Sequence, residues 1–227
     1  MALTIVQHKL NVGSGGASMA TSFDTLPAVG NFVVALVTNL SGVAGDVTIA
    51  DNQSNTWGLD RDGGAAANCE NVVGSAQVST SSGTFTITAT ATTHQSICAM
   101  EIVEISGVVS ASAFDIEKAA AANSTTPDTG ASSSTTQADE IVLAFFLLNA
   151  GVTGVTPDGS YTTLDTGDTS VGGTRTFSAA YLVVSATGAQ QASWTYTGSA
   201  ALWNAALVTY KAAAAAANPT YQMSSAQ

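Results

Sequence analysis

The sequence predicts an all-β protein: an antiparallel β-sandwich with Greek-key or jelly-roll connections, built from two similar halves with a pseudo-twofold internal repeat. Short runs rich in Val, Ile, Thr and aromatic residues recur between turns rich in Gly, Asn and Asp, at the spacing of roughly 8–12 residues typical of such folds. The order of runs and turns in residues 30–60 returns about 106 to 109 residues further along the chain. We therefore expect one sandwich domain over residues 1–211. Two separate small domains are the alternative, but each half alone would leave strand edges to protect.

The first half, residues 25–107, carries the clearest strand patterns. Residues 32–38 form a continuous apolar run, which predicts a strand covered on both faces. Residues 84–90 alternate between Thr and larger or apolar side chains, which predicts a half-buried strand. The remaining strands before residue 107 are predicted at 3–11, 22–24, 47–50, 56–59, 72–79 and 96–106.

The second half, residues 135–211, repeats this order with low identity. Residues 141–148 correspond to the apolar run at 32–38, and Tyr161 takes the place of Trp57. The strands that correspond to 72–79, 84–90 and 96–106 are predicted at 175–185, 191–197 and 202–211.

Two segments of low complexity flank the second half. Residues 108–134 contain four consecutive alanines and a Ser/Thr-rich run, and they are predicted to be a linker that crosses between the halves, with at most one short strand near residues 132–136. Residues 212–227 are an Ala-rich C-terminal tail. Its alanine run is too short to be a stable helix alone, so the tail is either disordered or docked on a neighbouring subunit.

The chain is acidic and carries few charges. Sixteen Asp and Glu against five Lys and Arg give a net charge of −11, and only 9% of residues are charged. Because none of the five cations neighbours another, we expect neither nucleic-acid binding nor attachment to an anionic membrane. Apolar runs of about eight residues are too short for a membrane-spanning helix. The N-terminus also lacks the pattern of a signal peptide, so we expect a protein made in a host cytoplasm.

Few residues suggest catalysis. The histidines, His8 and His94, lie on different segments, and the sequence contains no Gly-x-Ser-x-Gly elbow and no pair of His at metal-ligand spacing. A thiol–imidazole pair of Cys69 with His94 is the one nucleophilic combination to consider. Cys69 and Cys98 are more simply buried thiols, with a disulfide as the alternative. We therefore predict no catalytic, cofactor-binding or metal-binding residues, and no cofactor.

Carboxylates crowd one region of the first half and its copy in the second: Asp46, Asp51, Asp60 and Asp62, then Asp158, Asp165 and Asp168. Such acids could bind Ca²⁺ or hydrolyse glycosides, but Asp in Gly-rich turns is ordinary turn chemistry. Glu101 and Glu104 lie inside an apolar strand, where a charge usually marks the solvent face or an interface edge.

Five aromatic residues lie in β-rich segments: Trp57, Tyr161, Trp194, Tyr196 and Trp203. Large aromatic side chains supply much of the packing of a sandwich, so most of these should belong to the core. A platform that stacks sugar rings is the alternative.

Four features in order carry a resemblance to known proteins. Gly30-Asn31 precedes an apolar strand, Asp51 and Asn55-Thr56-Trp57 follow it, and residues 101–107 end the half; residues 136–140 open the next one. In these features residues 25–211 resemble the jelly-roll-like β-sandwich modules of tailed-phage virion proteins and of bacterial surface or secreted proteins. The resemblance implies a structural or attachment role and brings no catalytic residues with it.

Two functions compete on this basis. We expect a non-enzymatic structural protein of a tailed-phage virion, a capsid decoration or spike component that contacts other capsid or tail proteins and forms homo-oligomers. A tail fibre is less expected, because fibres show long slender repeats. The alternative is a carbohydrate-binding or adhesin module with a glycan as partner, which should normally carry an export signal. A hydrolase has the least support.

Overall fold

The computed structural model describes residues 2–13, 15–40, 45–63, 69–93, 96–169 and 174–214. Strands make up 62% of the chain, their pairings are antiparallel, and no helix occurs in the described residues. The predicted all-β class is therefore confirmed. A search of the same residues for a long apolar helix that could cross a membrane finds none.

The described residues form fifteen strands. In chain order they are β1 (Thr4–Val12), β2 (Ser18–Ser22), β3 (Phe32–Asn39), β4 (Val47–Asp51), β5 (Gly58–Gly63), β6 (Glu70–Gln77), β7 (Thr86–Ala91), β8 (Ile97–Ser106), β9 (Phe114–Ser124), β10 (Asp139–Leu148), β11 (Thr153–Pro157), β12 (Thr162–Thr169), β13 (Arg175–Ser185), β14 (Trp194–Thr197) and β15 (Ala201–Lys211).

Ten of these strands form two five-stranded sheets. The first sheet has the order β1-β8-β3-β6-β5, and the second has the order β12-β13-β10-β15-β9. A three-stranded sheet, β2-β7-β4, and a two-stranded sheet, β11-β14, accompany them. Edge strand β1 contacts edge strand β12, and β5 contacts β9, so the edges of the two large sheets lie over each other.

Apolar side chains fill both faces of the first sheet. Along β3, Val34 and Leu36 belong to a central core shared with the second sheet, whereas Val33 and Ala35 belong to an outer core shared with β2, β4 and β7. Every residue of β3 is buried. The expectation that residues 32–38 are covered on both faces is therefore confirmed, and it explains why the run is apolar without alternation.

The second sheet is covered in the same way. Phe145 of β10 lies in the central core near Phe177, and Phe146 lies in a second outer core against Trp194, with ring centroids 5.1 Å apart. The central core also joins residues from both predicted halves, since the rings of Phe32 and Tyr210 are 5.2 Å apart.

The segment predicted to be a linker, residues 108–134, contains strand β9. β9 pairs with β15 and forms an edge of the second sheet. The prediction of a crossing loop with one short strand near residues 132–136 is wrong, because that described stretch contains an isolated bridge, Ser134 to Ala189, and no strand. Alanine disfavours strands by itself, but β15 pairs with the backbone of β9 along most of its length.

Two further elements differ from expectation. The second strand was predicted at 22–24, but the structure places it at Ser18–Ser22, as β2. Phe23 lies just after this strand and is buried in the outer core. Of the predicted tail, 212–227, the structure describes residues 212–214. Ala212 forms a bridge with Val108, and the N–H of Ala213 donates to the carbonyl of Gly107 at 2.7 Å. Residues 215–227 lie outside the described part of the chain.

Candidate functional site

The turn motif at residues 51–57 is a structural network. Asp51 Oδ1 accepts hydrogen bonds from the backbone N–H groups of Gln53 at 2.8 Å and Asn55 at 3.1 Å, and Oδ2 accepts one from the indole of Trp57 at 2.9 Å. Asn55 Oδ1 then accepts the N–H of Ser79 at 2.8 Å. The side chains singled out by the sequence here hold the turn between β4 and β5 against the end of β6.

Glu104 is a second structural anchor. Its side chain is 1% exposed, and Oε1 accepts from the backbone N–H of Ala28 at 2.8 Å and from the amide of Asn31 at 2.6 Å. Oε2 accepts from the amide of Gln7 at 2.7 Å. The predicted location of Glu101 and Glu104 on a solvent face is wrong, because both residues are buried. Glu104 instead fixes the turn that contains the Gly30-Asn31 motif.

The other crowded aspartates mostly take separate partners. Asp60 accepts a hydrogen bond from the hydroxyl of Tyr210 at 2.7 Å, and Asp62 accepts one from the N–H of Gly45 at 2.7 Å. Among the described residues, Asp165 is the one member of the set that joins a group of three His, Cys, Asp or Glu side chains with converging ligand atoms.

The aromatic residues considered for sugar stacking are mostly packed. Trp194, Trp203 and Tyr161 are 1%, 4% and 8% exposed and belong to the second outer core. Trp57 packs partly buried against the first outer core, and the Tyr196 hydroxyl donates to the carbonyl of Ser124 at 2.9 Å. These rings therefore serve packing and internal hydrogen bonds.

The two cysteines are free thiols in the central core. Burial raises the pKa of the Cys98 thiol to about 12 and raises the pKa of Cys69 still further. Neither thiol is poised to ionise near neutral pH, which is what nucleophilic chemistry would need. His94, the imidazole considered as a partner for Cys69, lies outside the described residues.

One group of chemically active side chains converges, at the edge where β1 lies over β12. His8 stands opposite Val103 in the β1–β8 ladder, and Glu101 precedes Val103 by two residues, so both side chains share the face of the first sheet that Val103 turns toward the central core. Asp165 of β12 meets them from the second sheet. The fold thus brings together residues separated by 93 and 157 positions.

The geometry of this cluster centres on one nitrogen. His8 Nδ1 lies 3.1 Å from Glu101 Oε1 and 2.9 Å from Asp165 Oδ2. The side chains of His8 and Asp165 are 33% and 38% exposed, whereas that of Glu101 is fully buried. Glu101 Oε2 is buried without a hydrogen-bond partner. Since Nδ1 carries at most one proton, it cannot donate a full hydrogen bond to both carboxylates.

The electrostatics follow from this arrangement. The hydrogen bond with Glu101 is the largest influence on His8 and raises its pKa above the usual 6.5, although burial opposes the shift. Burial raises the pKa of Glu101 to about 7, although the hydrogen bond with His8 opposes that shift. The cluster can therefore hold a shared proton near neutral pH.

A groove lies next to the cluster between the same two edge strands. Ile5, Val6, Leu164 and Tyr181 supply its apolar lining, His8 stands at its wall, and its volume is about 320 Å³. The cluster is thus open to solvent and to small solutes from the side of the stacked sheets.

A separate buried carboxyl lies at the start of β10. Glu140 is 0% exposed. Thr209 and Asp115 are its polar neighbours. Burial is the main cause that raises the pKa of Glu140 to about 7, and the charge of Asp115 adds to it. Ionisation of this buried carboxyl therefore destabilises the folded state.

Sequence reasoning did not find the His8–Glu101–Asp165 cluster. One signal was present: an acid inside a strand that is apolar on both faces has no solvent face to occupy, which points to a buried partner. The partners themselves lie far away in sequence, and their placement needs the strand order of both sheets.

A comparison of the chain with protein-family models, with curated proteins and with solved structures finds no match in any of the three.

Proposed function

We propose that the chain is a non-enzymatic structural protein of a tailed-phage virion, a capsid decoration or spike component that acts through contacts with copies of itself and with other capsid or tail proteins. Its architecture in this proposal is an antiparallel β-sandwich built from two similar halves related by a pseudo-twofold axis. The observation that carries the functional part is an exposed apolar surface beside an edge strand.

The strand orders support the duplicated architecture. If β1, β3, β5, β6 and β8 correspond to β9, β10, β12, β13 and β15, both five-stranded sheets have the same order. The contacts of β1 with β12 and of β5 with β9 then become equivalent, as a twofold relation requires.

Strand register supports it at single residues. His8 of β1 stands opposite Val103 of β8, and Glu117 of β9 stands opposite Val208 of β15. Under the proposed correspondence, these are equivalent positions in the two halves.

The opposite edges agree with this relation. Arg61 of β5 and Asp165 of β12 both follow a register shift, and they stand opposite equivalent residues of β6 and β13. Arg61 pairs with Glu117, and His8 pairs with Asp165. The two edges thus carry ion pairs at equivalent positions, but the basic partner of one pair corresponds to the acidic partner of the other.

The exposed apolar surface consists of Leu26 and Val29, which are 47% and 65% exposed. The side chain of Gln7 binds the carbonyl of Thr25 at 2.9 Å and also binds Glu104, so it holds the 25–31 segment beside β1. Exposed apolar side chains grouped at a sheet edge mark interaction surfaces, and natural proteins cover such edges.

A second copy of the chain is the occupant we propose for this surface. The nearby charges are balanced, since Lys9 pairs with Asp24. Two copies can therefore approach here despite a net charge of −11 on each. In an isologous contact both copies use the same surface. One such surface is therefore enough to pair copies of a decoration or spike protein on a symmetric shell.

The non-enzymatic part rests on how polar side chains are used. The described histidine, His8, contacts two carboxylates and no serine or cysteine nucleophile. The competing proposal of a carbohydrate-binding or adhesin module depended on exposed aromatic rings, and Trp194, Trp203 and Tyr161 are instead buried. We therefore do not favour a glycan as the partner.

Light scattering on purified protein tests the proposal. We expect the wild-type chain to be an oligomer, and the double variant L26S/V29S to be a monomer. The matched control V183S changes a side chain that is 46% exposed on a different strand, β13, and should leave the oligomer intact. A wild-type protein that stays monomeric and does not co-sediment with phage shells overturns the proposal. An oligomer that survives L26S/V29S overturns the assignment of this surface.

A further inference from the structure

The two sheet edges differ in the residue that lies beneath each ion pair. Arg61–Glu117 closes the β5–β9 edge, and His8–Asp165 closes the β1–β12 edge. Next to His8, the buried carboxyl of Glu101 adds a third ionisable group. An additional acid in this place raises the negative charge of one edge alone.

Strand register locates the corresponding position in the other half. Glu101 of β8 stands opposite Leu36 of β3, and Ala206 of β15 stands opposite Phe145 of β10. Ala206 is therefore the counterpart of Glu101 under the proposed duplication. Because the β5–β9 edge forms its ion pair above an alanine, an acid is not needed to hold such an edge together.

The carboxylate of Glu101 is also incompletely satisfied. Its side chain is 0% exposed, Oε1 contacts His8, and Oε2 has no hydrogen-bond partner. A buried carboxylate with a free oxygen is costly, because desolvation is not repaid by hydrogen bonds. The orphan oxygen points to a ligand that the protein chain itself does not supply.

We propose that His8, Glu101 and Asp165 bind one divalent transition-metal ion, with Zn²⁺ as the best-matched probe. One ligand atom from each side chain lies within 4.8 Å of the other two. Zinc lies about 2.0–2.2 Å from His nitrogen and carboxylate oxygen, which at a tetrahedral centre places neighbouring ligands roughly 3.3–3.6 Å apart. The observed separations of 3.1 Å and 2.9 Å from Nδ1 are shorter than this, so the two carboxylates must move apart from the imidazole by roughly 0.2–0.7 Å to admit the ion.

The donor set selects the class of metal. Calcium and magnesium prefer sites made of oxygen, whereas an imidazole nitrogen with two carboxylates suits zinc and neighbouring transition metals. The two carboxylates of Glu101 and Asp165 balance the charge of a divalent ion, and the imidazole of His8 binds as a neutral ligand. Glu101 Oε2, which has no protein partner, becomes an available ligand atom.

The position also allows a metal to enter and leave. His8 and Asp165 are about one-third exposed at the mouth of the groove. Three protein ligands leave at least one coordination position for water or for a donor from another molecule. The bound ion would link β1 to β12 and so tie the two large sheets together at this edge.

Isothermal titration calorimetry on chelator-treated full-length protein tests the proposal, with ZnCl₂, MnCl₂ and CaCl₂ as probes. We expect one Zn²⁺ per chain and weaker binding of Ca²⁺. The variants D165N and H8A should weaken Zn²⁺ binding by more than about 100-fold, since even contacts behind the ligands are worth roughly 10- to 100-fold. The isosteric variant E101Q should do the same. Visible absorption of the Co²⁺-loaded protein gives a second readout, which should disappear in D165N.

Two matched controls separate a metal site from a structural ion pair. E117Q alters the acid of the equivalent pair at the other edge, and H94A removes the second histidine of the sequence. Both should bind Zn²⁺ as the wild type does. Absence of Zn²⁺ binding by the folded wild-type protein overturns the proposal. So does binding that persists in both H8A and D165N, or binding that E117Q reduces as much as D165N does.

Discussion

Replacing Glu140 by Gln should remove a specific pH dependence of stability. The pKa of this buried carboxyl is raised from an ordinary 4.5 to about 7. Below the ordinary value the carboxyl is neutral in both the folded and the unfolded chain, and it has no effect. Between that value and about 7 the unfolded chain releases a proton that the folded chain retains, so stability falls as pH rises. Above about 7 the penalty is complete.

The size of this effect follows from the shift. Each unit corresponds to about 1.4 kcal/mol, so ionisation of Glu140 costs the folded state on the order of 3 kcal/mol. Urea unfolding followed by tryptophan fluorescence at about pH 5 and about pH 8 measures it. The variant E140Q should exceed the unfolding free energy of the wild type by less than about 1 kcal/mol at the lower pH and by up to roughly 3 kcal/mol at the higher pH.

A buried acid with complete hydrogen bonds provides the control. Glu104 accepts from Ala28, Asn31 and Gln7, and E104Q presents an amide hydrogen to a donor, so it should lose stability at both pH values. The variant E104Q should retain the wild-type difference in unfolding free energy between the two pH values. If E140Q loses as much free energy of unfolding between the two pH values as the wild type does, the reasoning about Glu140 is refuted.

Two further changes probe the structural networks by urea unfolding. N55A removes the acceptor for the N–H groups of Ser79 and Thr80 and should cost about 1–3 kcal/mol; a loss within experimental error would contradict the anchoring role of Asn55. F146A leaves a cavity beside Trp194 in the second outer core and should cost about 3–5 kcal/mol. The exposed control V183A should change stability by less than about 0.5 kcal/mol, and equal losses in F146A and V183A would contradict the packing described for Phe146.

The strands were the most predictable part of this molecule. The apolar run at 32–38 predicted a strand covered on both faces, because a strand with one solvated face would alternate apolar and polar residues. The strand β9 was hidden, since the alanines at 119–122 carry no strand preference and acquire strand structure by pairing with β15. Local sequence cannot reveal a pairing that depends on a partner about 80 residues away.

The candidate site was far less predictable. Glu101 looked like a surface charge because acids are seldom buried, and its apolar flanks on both sides were the one contrary signal. His8 and Asp165 lie 157 residues apart, and they meet because β1 and β12 are edge strands of different sheets that contact each other. That meeting is a property of topology and does not appear in any local pattern.

The two sheet edges differ in the balance of positive and negative charges. Arg61 and Glu117 pair and balance each other's charge at the β5–β9 edge. At the other edge His8 faces the carboxylates of Glu101 and Asp165, and even a protonated imidazole leaves one negative charge. The chain has only five lysines and arginines, all of them described, and none pairs with this cluster. A bound proton or cation would neutralise this charge, and a divalent ion would balance both carboxylates and also use the Glu101 oxygen that has no hydrogen-bond partner.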